Sequence, residues 1–307
     1  MINNTPIVFF GSGPVAAESL RLLAKDFNIE AVITKPRAAH HKGDVPVISL
    51  ARELGLPVHT AANRLELDRL FDTKLVKSQL AVLIDFGIIV SQKVIDYFEL
   101  GIINSHFSVL PEWRGADPIT FAILSGQKQT GVSLMLLVEA MDEGPLLGFG
   151  EYDMPDNITS PQLTDHLIKL SHALLLQEIP PYLSGETKAV DQKITARKVS
   201  YSRKLTKDDG IIDWSKPAVQ IEREIRAFIE WPKSRAKIGS KEVIITQAHA
   251  VPVNHDGKPG DLDVVEGLLM VECGSGTLCI DRLKPAGKKE MTAKEFLRGY
   301  GQHLTSD

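Results

Sequence analysis

Between residues 6 and 108 short apolar runs alternate with amphipathic stretches, and this alternation restricts the fold more than any other feature of the chain. "PIVFFG", "IEAVITK", "LAVLIDFG" and "GIINSHFS" have the near-continuous apolar character of strands buried on both faces. "AAESLRLLAKD", "SLARELG" and "SQKVIDYFE" between them carry helical spacing. Strands separated by helices imply right-handed crossovers and a mostly parallel, doubly wound Rossmann-like α/β sheet. Such sheets bind ligands beyond the C-terminal ends of their strands, so chemistry is expected where these runs stop. A further strand, "GVSLMLLV", runs into the turn "EAMDEGPLL", and the stretch from Ser160 to Gly185 reads as a long helix stopped by Pro and Gly.

From about residue 188 the pattern changes. "KAVDQKITARKVSYSRKLTK" has little amphipathic period and several basic residues, and it reads as a linker. One helix follows, "KPAVQIEREIRAFI", then short alternating strands between Gly, Asn and Pro, which predict a small barrel or sandwich. The expected division is therefore 1–187, a basic linker over 188–206, and a second domain over 207–307. With 307 residues, 43% hydrophobic and 24% charged, the chain is long enough for two cores, and no apolar run approaches a membrane span of about 18 residues. The N-terminus "MINNTPIVFF" lacks the basic start and cleavage site of a secretory signal, so a cytoplasmic address is expected. Cys273 and Cys279 read as small buried residues of a reducing compartment, and no metal-ligand spacing stands out.

Two places could carry chemistry. "FFGSGPVAAESL" satisfies Gly-x-Gly-x-x-Ala with Gly11, Gly13 and Ala16, but the second strand ends in "TKPR", without the carboxylate that holds a ribose. Lys35 and Arg37 could take a 2′-phosphate instead, and a tight strand-to-helix turn needs glycine whatever it binds. The second place is stronger. In the strand "GIINSHFS", Asn104 and His106 share a face and Ser108 continues the row, which fits either a satisfied buried polar set or a proton-transfer group beside an amide donor. Asp142, in a Gly-Pro turn after another strand, could orient or charge the imidazole.

"NSHFSVLPEWRGADPI" and "TGVSLMLLVEAMDEGPLL" resemble the signature segments of the folate-dependent formyltransferases. "YSRKLTKDDGIIDWSKPAVQIEREIRAF" and "LKPAGKKEMTAKEFL" resemble the C-terminal oligonucleotide-binding (OB-like) β-barrel of the members acting on methionyl-tRNA. The resemblance implies formyl transfer from 10-formyltetrahydrofolate, as cosubstrate without a metal, to the α-amine of methionyl-initiator-tRNA, by a monomer. It assigns catalysis to Asn104, His106 and Asp142. Folate would contact Ser108, Val109, Leu110, Pro111, Phe86 and Gly87. Two basic segments would meet tRNA phosphates: Lys35, Arg37 and Lys42 in the first, and Arg197, Lys198, Arg203 and Lys204 in the second. These patches compensate locally for a net charge of −4, which otherwise argues against coating nucleic acid. The alternatives are formyl transfer to an amino-sugar nucleotide and a noncatalytic RNA-binding relative. This chain departs from the family at Phe107, where a small residue is usual, at Asp85, where Ala is frequent, and in a shorter basic loop over 35–43.

Overall fold

The apolar runs do become strands, and their pairing puts the polar end of one of them at the C-terminal edge of the parallel strands. The computed structural model describes residues 3–37, 45–252 and 257–301, with side chains from residue 5; Lys42 lies outside the described residues. The elements in chain order are β1 Asn3–Phe10, α1 Pro14–Asp26, β2 Phe27–Thr34, α2 Pro46–Glu53, β3 Val58–Thr60, α3 Arg64–Phe71, β4 Leu80–Leu83, α4 Gln92–Ile95, β5 Ile102–His106, β6 Arg114–Gly115, α5 Pro118–Ser125, β7 Gln129–Leu136, β8 Leu146–Asp153, α6 Ser160–Leu183, β9 Tyr201–Ser202 and α7 Ala218–Ala227. They continue with β10 Ser234–Ile238, β11 Lys241–Val251, β12 Leu262–Val265, β13 Leu268–Glu272, β14 Thr277–Pro285, β15 Met291–Thr292 and α8 Ala293–Tyr300.

The chain divides into two compact units. One comprises Met1–Pro118, Gln129–Asp153 and Thr164–Ser202, and the other Ile119–Lys128, Met154–Leu163 and Arg203–Asp307. In the first, a seven-stranded sheet runs in the order β3-β2-β1-β4-β5-β7-β8. Pairing is parallel from β3 through β5, and β7 and β8 add antiparallel. Sequence order reverses between β1 and β4, and the loops after β1, β4 and β5 all leave at the strands' C-terminal ends, the position where open α/β sheets hold ligands. Phe10 packs edge-on against Phe86 and Phe98 and stacks on Phe71, a cluster that fills one face of the sheet.

The second unit has a six-stranded antiparallel sheet, β10-β11-β14-β13-β12 with β15 paired to β14. Ile221 and Ile225 of α7 and Phe296 of α8 are buried in one cluster with Ile245, Leu269 and Leu283 of the sheet.

Two features differ from the sequence expectation. The long helix is not stopped by its prolines, because Pro180 and Pro181 lie inside α6, in its last turn. Helix carbonyls there are satisfied from beyond the end instead: Ser184 N–H donates to Pro180 O and Glu186 N–H to Pro181 O, at 3.1 and 2.9 Å. The other difference is β8, "LLGFGEYD", whose glycines hide its alternation. Gly131 of β7 pairs with Glu151, and the strands run so close that a Cβ on Gly131 would stand 2.0 Å from the carbonyl oxygen of neighbouring Gly150, so the pairing requires that glycine.

Candidate active site

β5 is buried along its whole length, and it is the strand where the sheet changes from parallel to antiparallel pairing. Asn104 pairs with Leu83 on one side and Met135 on the other, and His106 pairs with Ser133. Asn104 and His106 keep only 8% and 7% of their surface, so each polar group needs a partner or a substrate. Ser105, between them, turns to the opposite face, where its hydroxyl meets Ser171 at 2.7 Å.

Asp142 reaches the same face as Asn104 and His106. Its Oδ1 lies 3.4 Å from Asn104 Nδ2 and 3.8 Å from His106 Nδ1, and its Oδ2 accepts a 2.7 Å hydrogen bond from Gly115 N–H. The three residues expected to act together are thus brought together. His106 Nε2 stands 2.9 Å from the Trp113 carbonyl, which can only accept, so Nε2 carries a hydrogen in this ring orientation. In the neutral ring Nδ1 then offers a lone pair. Its 3.8 Å separation from Asp142 is too long for a hydrogen bond.

A second layer holds Asp142 in place. Gln192 Nε2 donates to the carbonyls of Asp142 and Gly144, at 2.8 and 2.9 Å, while its Oε1 accepts from Arg114, which also pairs with Glu143 at 3.1 Å. Gln192 is buried, although its sequence reads only as part of a basic connecting segment. That segment is ordered: Val190 bridges Leu146, and β9 pairs with β6. A Cβ at Gly115 would stand 2.5 Å from the Ser202 carbonyl oxygen, and the residue's φ of 106° also requires glycine. Asp85, Trp113, Asp117 and Asp142 all hold positive φ, between 48° and 58°. Such strained positions concentrate at functional sites.

The Ser108–Pro111 stretch is wholly buried. It is pinned by Ser133, whose hydroxyl donates to Ser108 O and accepts from Leu110 N–H, both at 2.9 Å, and by Thr195, which donates to Leu110 O at 2.8 Å. Val109 and Leu110 have no exposed surface, and Phe86 sits in the core against Phe10, so these side chains shape a wall from behind. Phe107 is likewise buried, at 6% exposure. Gly87 is exposed with φ 65°, and a Cβ there would stand 2.8 Å from Lys35 Nζ.

Lys35 belongs to the same rim as Asp85. The Asp85 residue is solvent-accessible, yet its carboxylate is set against Gly13, where a Cβ would lie 2.0 Å from Oδ2. Desolvation pushes its acid up from the usual 3.8 to about 6, against the pull of Lys35 and with a smaller push from Asp117. Between those values the folded state holds a proton that the unfolded chain has released, so folding stability falls as pH rises from about 4 to about 6. Asp85→Asn should therefore gain stability over the parent across that interval and hold the gain above it, as read by denaturation at stepped pH. An unchanged difference from pH 4 to 7 would contradict this.

The basic residues diverge. Arg197 is engaged by Glu151 at 2.6 Å, by Gln129, and more distantly by Glu112. In the other unit Arg203 forms a two-pronged pair with Asp209. Lys198 and Lys204 are exposed, as is Arg37.

Comparisons with known proteins identify relatives along the whole chain. The formyl transferase family model matches residues 7–179, and the model for the formyl transferase C-terminal domain matches 204–301. A methionyl-tRNA formyltransferase of Magnetococcus marinus is 33% identical over 302 residues, covering 96% of this chain and 95% of its own. One from Pseudoalteromonas translucida is 34% identical over 307 residues, covering 97% and 95%. Among solved structures, an N-formyltransferase from Helicobacter canadensis in complex with folinic acid and dTDP-3-aminofucose matches with a TM-score of 0.67 at 18% identity, covering 91% of this chain and 99% of its own. With both family domains matched and a third of all residues shared along nearly the full length, the chain belongs to the formyl transferase family.

Proposed function

We propose that the protein transfers the formyl group of 10-formyltetrahydrofolate to the α-amine of methionyl-initiator-tRNA. The observation that carries this reading is near full-length similarity to relatives named for that reaction, across both domains. Amine attack on the formyl carbon creates an oxyanion and a cationic nitrogen. Asn104 Nδ2 has a second hydrogen beyond the one turned to Asp142, and that hydrogen serves the oxyanion. His106 Nδ1 takes the proton leaving the nitrogen, and the Asp142 carboxylate beside it stabilises the resulting imidazolium. As the intermediate collapses, the bond from the formyl carbon to N10 breaks, and the imidazolium returns its proton to N10, which leaves as tetrahydrofolate. None of these steps calls for a metal.

The folate ring system would lie along the Ser108–Pro111 wall and the Phe86-Gly87 turn. Lys35, Arg37 and Lys42 would approach the acceptor end of the tRNA, with Lys198 and Lys204 available to phosphates. Arg197 and Arg203 would have to exchange carboxylate partners for phosphates. Residues 1–187 would form the catalytic domain, 188–206 a basic connection and 207–307 the tRNA-binding domain. We assign the protein to the cytoplasm as a monomer, and among the described residues no helix is long and apolar enough to cross a membrane.

The test supplies purified protein with 10-formyltetrahydrofolate and, separately, methionyl-initiator-tRNA, methionyl-elongator-tRNA and an amino-sugar nucleotide. Formylation of the initiator species at higher kcat/KM than the elongator is expected, with KM rising steeply with salt. Acceptance of the sugar nucleotide alone would overturn the proposal.

A further inference from the structure

The antiparallel sheet of the second unit places three different donor groups on neighbouring positions of β11 and β14. His249 of β11 lies directly across from Cys279 of β14, and Asp281 follows two residues further along β14. The ladder is irregular here: Ala248 pairs with Ile280 and Gln247 with Arg282, which leaves Asp281 as an extra residue in a bulge. The bulge turns its carboxylate to His249, whose Nδ1 stands 3.0 and 3.1 Å from the two Asp281 oxygens. A ring nitrogen, the thiol sulfur and a carboxylate oxygen all lie within 4.8 Å of one another.

The thiol is what an ordinary His–Asp ion pair does not explain. Cys279 is only 1% exposed, and among the described residues no hydrogen bond engages it. A buried sulfur without a hydrogen-bond partner thus lies within 4.8 Å of the donor atoms of two partly exposed polar groups. We propose that His249, Cys279 and Asp281 bind a zinc-class divalent ion, with a water molecule as the fourth ligand. Mixed nitrogen, sulfur and oxygen donors suit zinc, whereas magnesium and calcium take oxygen. A neutral imidazole, a thiolate and a carboxylate carry a charge of two, which the ion cancels.

Binding forms a metal–sulfur bond and releases the thiol proton to solvent, with no change of oxidation state. Tetrahedral zinc holds its ligands roughly 3.2–3.7 Å apart, from bonds of about 2.0–2.3 Å. The widest donor separation must therefore close by about 1 Å. His249 and Asp281, with side chains 56% and 33% exposed, have the rotamer freedom to do so. The bound ion would clamp β11 to β14 at a point where the ladder's own register is broken.

The experiment titrates full-length protein, stripped with a chelator, with cobalt(II) as a spectroscopic probe and then with zinc. One equivalent of cobalt is expected to bind with a thiolate-to-metal charge-transfer band, to be displaced by zinc, and to raise the melting temperature. Cys279→Ser should abolish the band and weaken binding at least tenfold while leaving formyl transfer unchanged. Should that variant fail to fold, His249→Ala, at the exposed ligand, carries the same expectation of at least tenfold weaker binding. Cys273→Ser should leave the titration as it was. Failure to bind one equivalent, or a band that follows Cys273, would overturn the proposal, as would uptake indifferent to His249 and Cys279.

Discussion

Asn104→Ala should lower kcat for formyl transfer by roughly 10²–10³-fold, the usual cost of removing one donor to a developing oxyanion. The expectation rests on where the amide sits. Asn104 is fixed by pairing on both sides of β5, keeps 8% of its surface, and spends one N–H on a 3.4 Å contact with Asp142. That contact is long, so its loss should change folding stability by no more than about 1 kcal/mol. KM for either substrate should move little, because the amide meets charge that exists only during attack. A variant that melts normally and turns over within threefold of the parent would remove Asn104 from the chemistry.

The first half of this geometry is readable in the residues themselves. Four apolar runs become β1, β2, β4 and β5, because strands covered on both faces must be apolar throughout and helices must separate parallel neighbours. The two-residue spacing of Asn104 and His106 in an extended strand by itself puts them on one face, and the Gly-Pro turn around Asp142 is enough in character to suggest the third group. What stays hidden is held by contacts far apart in the chain. Gln192 reads as one polar residue among many, and only its burial beneath the carbonyls of Asp142 and Gly144 reveals what it does. Trp113 contributes through its backbone carbonyl, which no side-chain pattern reports. β8 is obscured because Gly148 and Gly150 replace the large residues that signal a strand. Arg197 and Arg203 show what charge alone leaves out, since their acidic partners Glu151 and Asp209 enter the account only when the fold supplies them.

Asp142 allows a sharper separation of catalysis from support. Its carboxylate has two tasks: Oδ2 accepts from Gly115 N–H at 2.7 Å, and Oδ1 faces Asn104 and His106. Asp142→Asn keeps an oxygen for Gly115 and nearly the same volume, but removes the negative charge beside the imidazole. Turnover should fall by about 10²–10⁴-fold, the range that positioned proton transfer contributes, while the melting temperature stays close to the parent's. Asp142→Ala loses the same charge and also leaves Gly115 N–H without its acceptor, so it should lose a comparable factor in kcat and a further ~1–3 kcal/mol of stability. At Asp142 an Ala side chain gives no help to the positive φ of 52°, a conformation that Asn tolerates. The two variants should thus agree in kcat and differ in denaturation midpoint. If Asp142→Asn instead kept near-parental turnover, the carboxylate would only be holding the β6 loop, and His106 would take the proton without help from its charge.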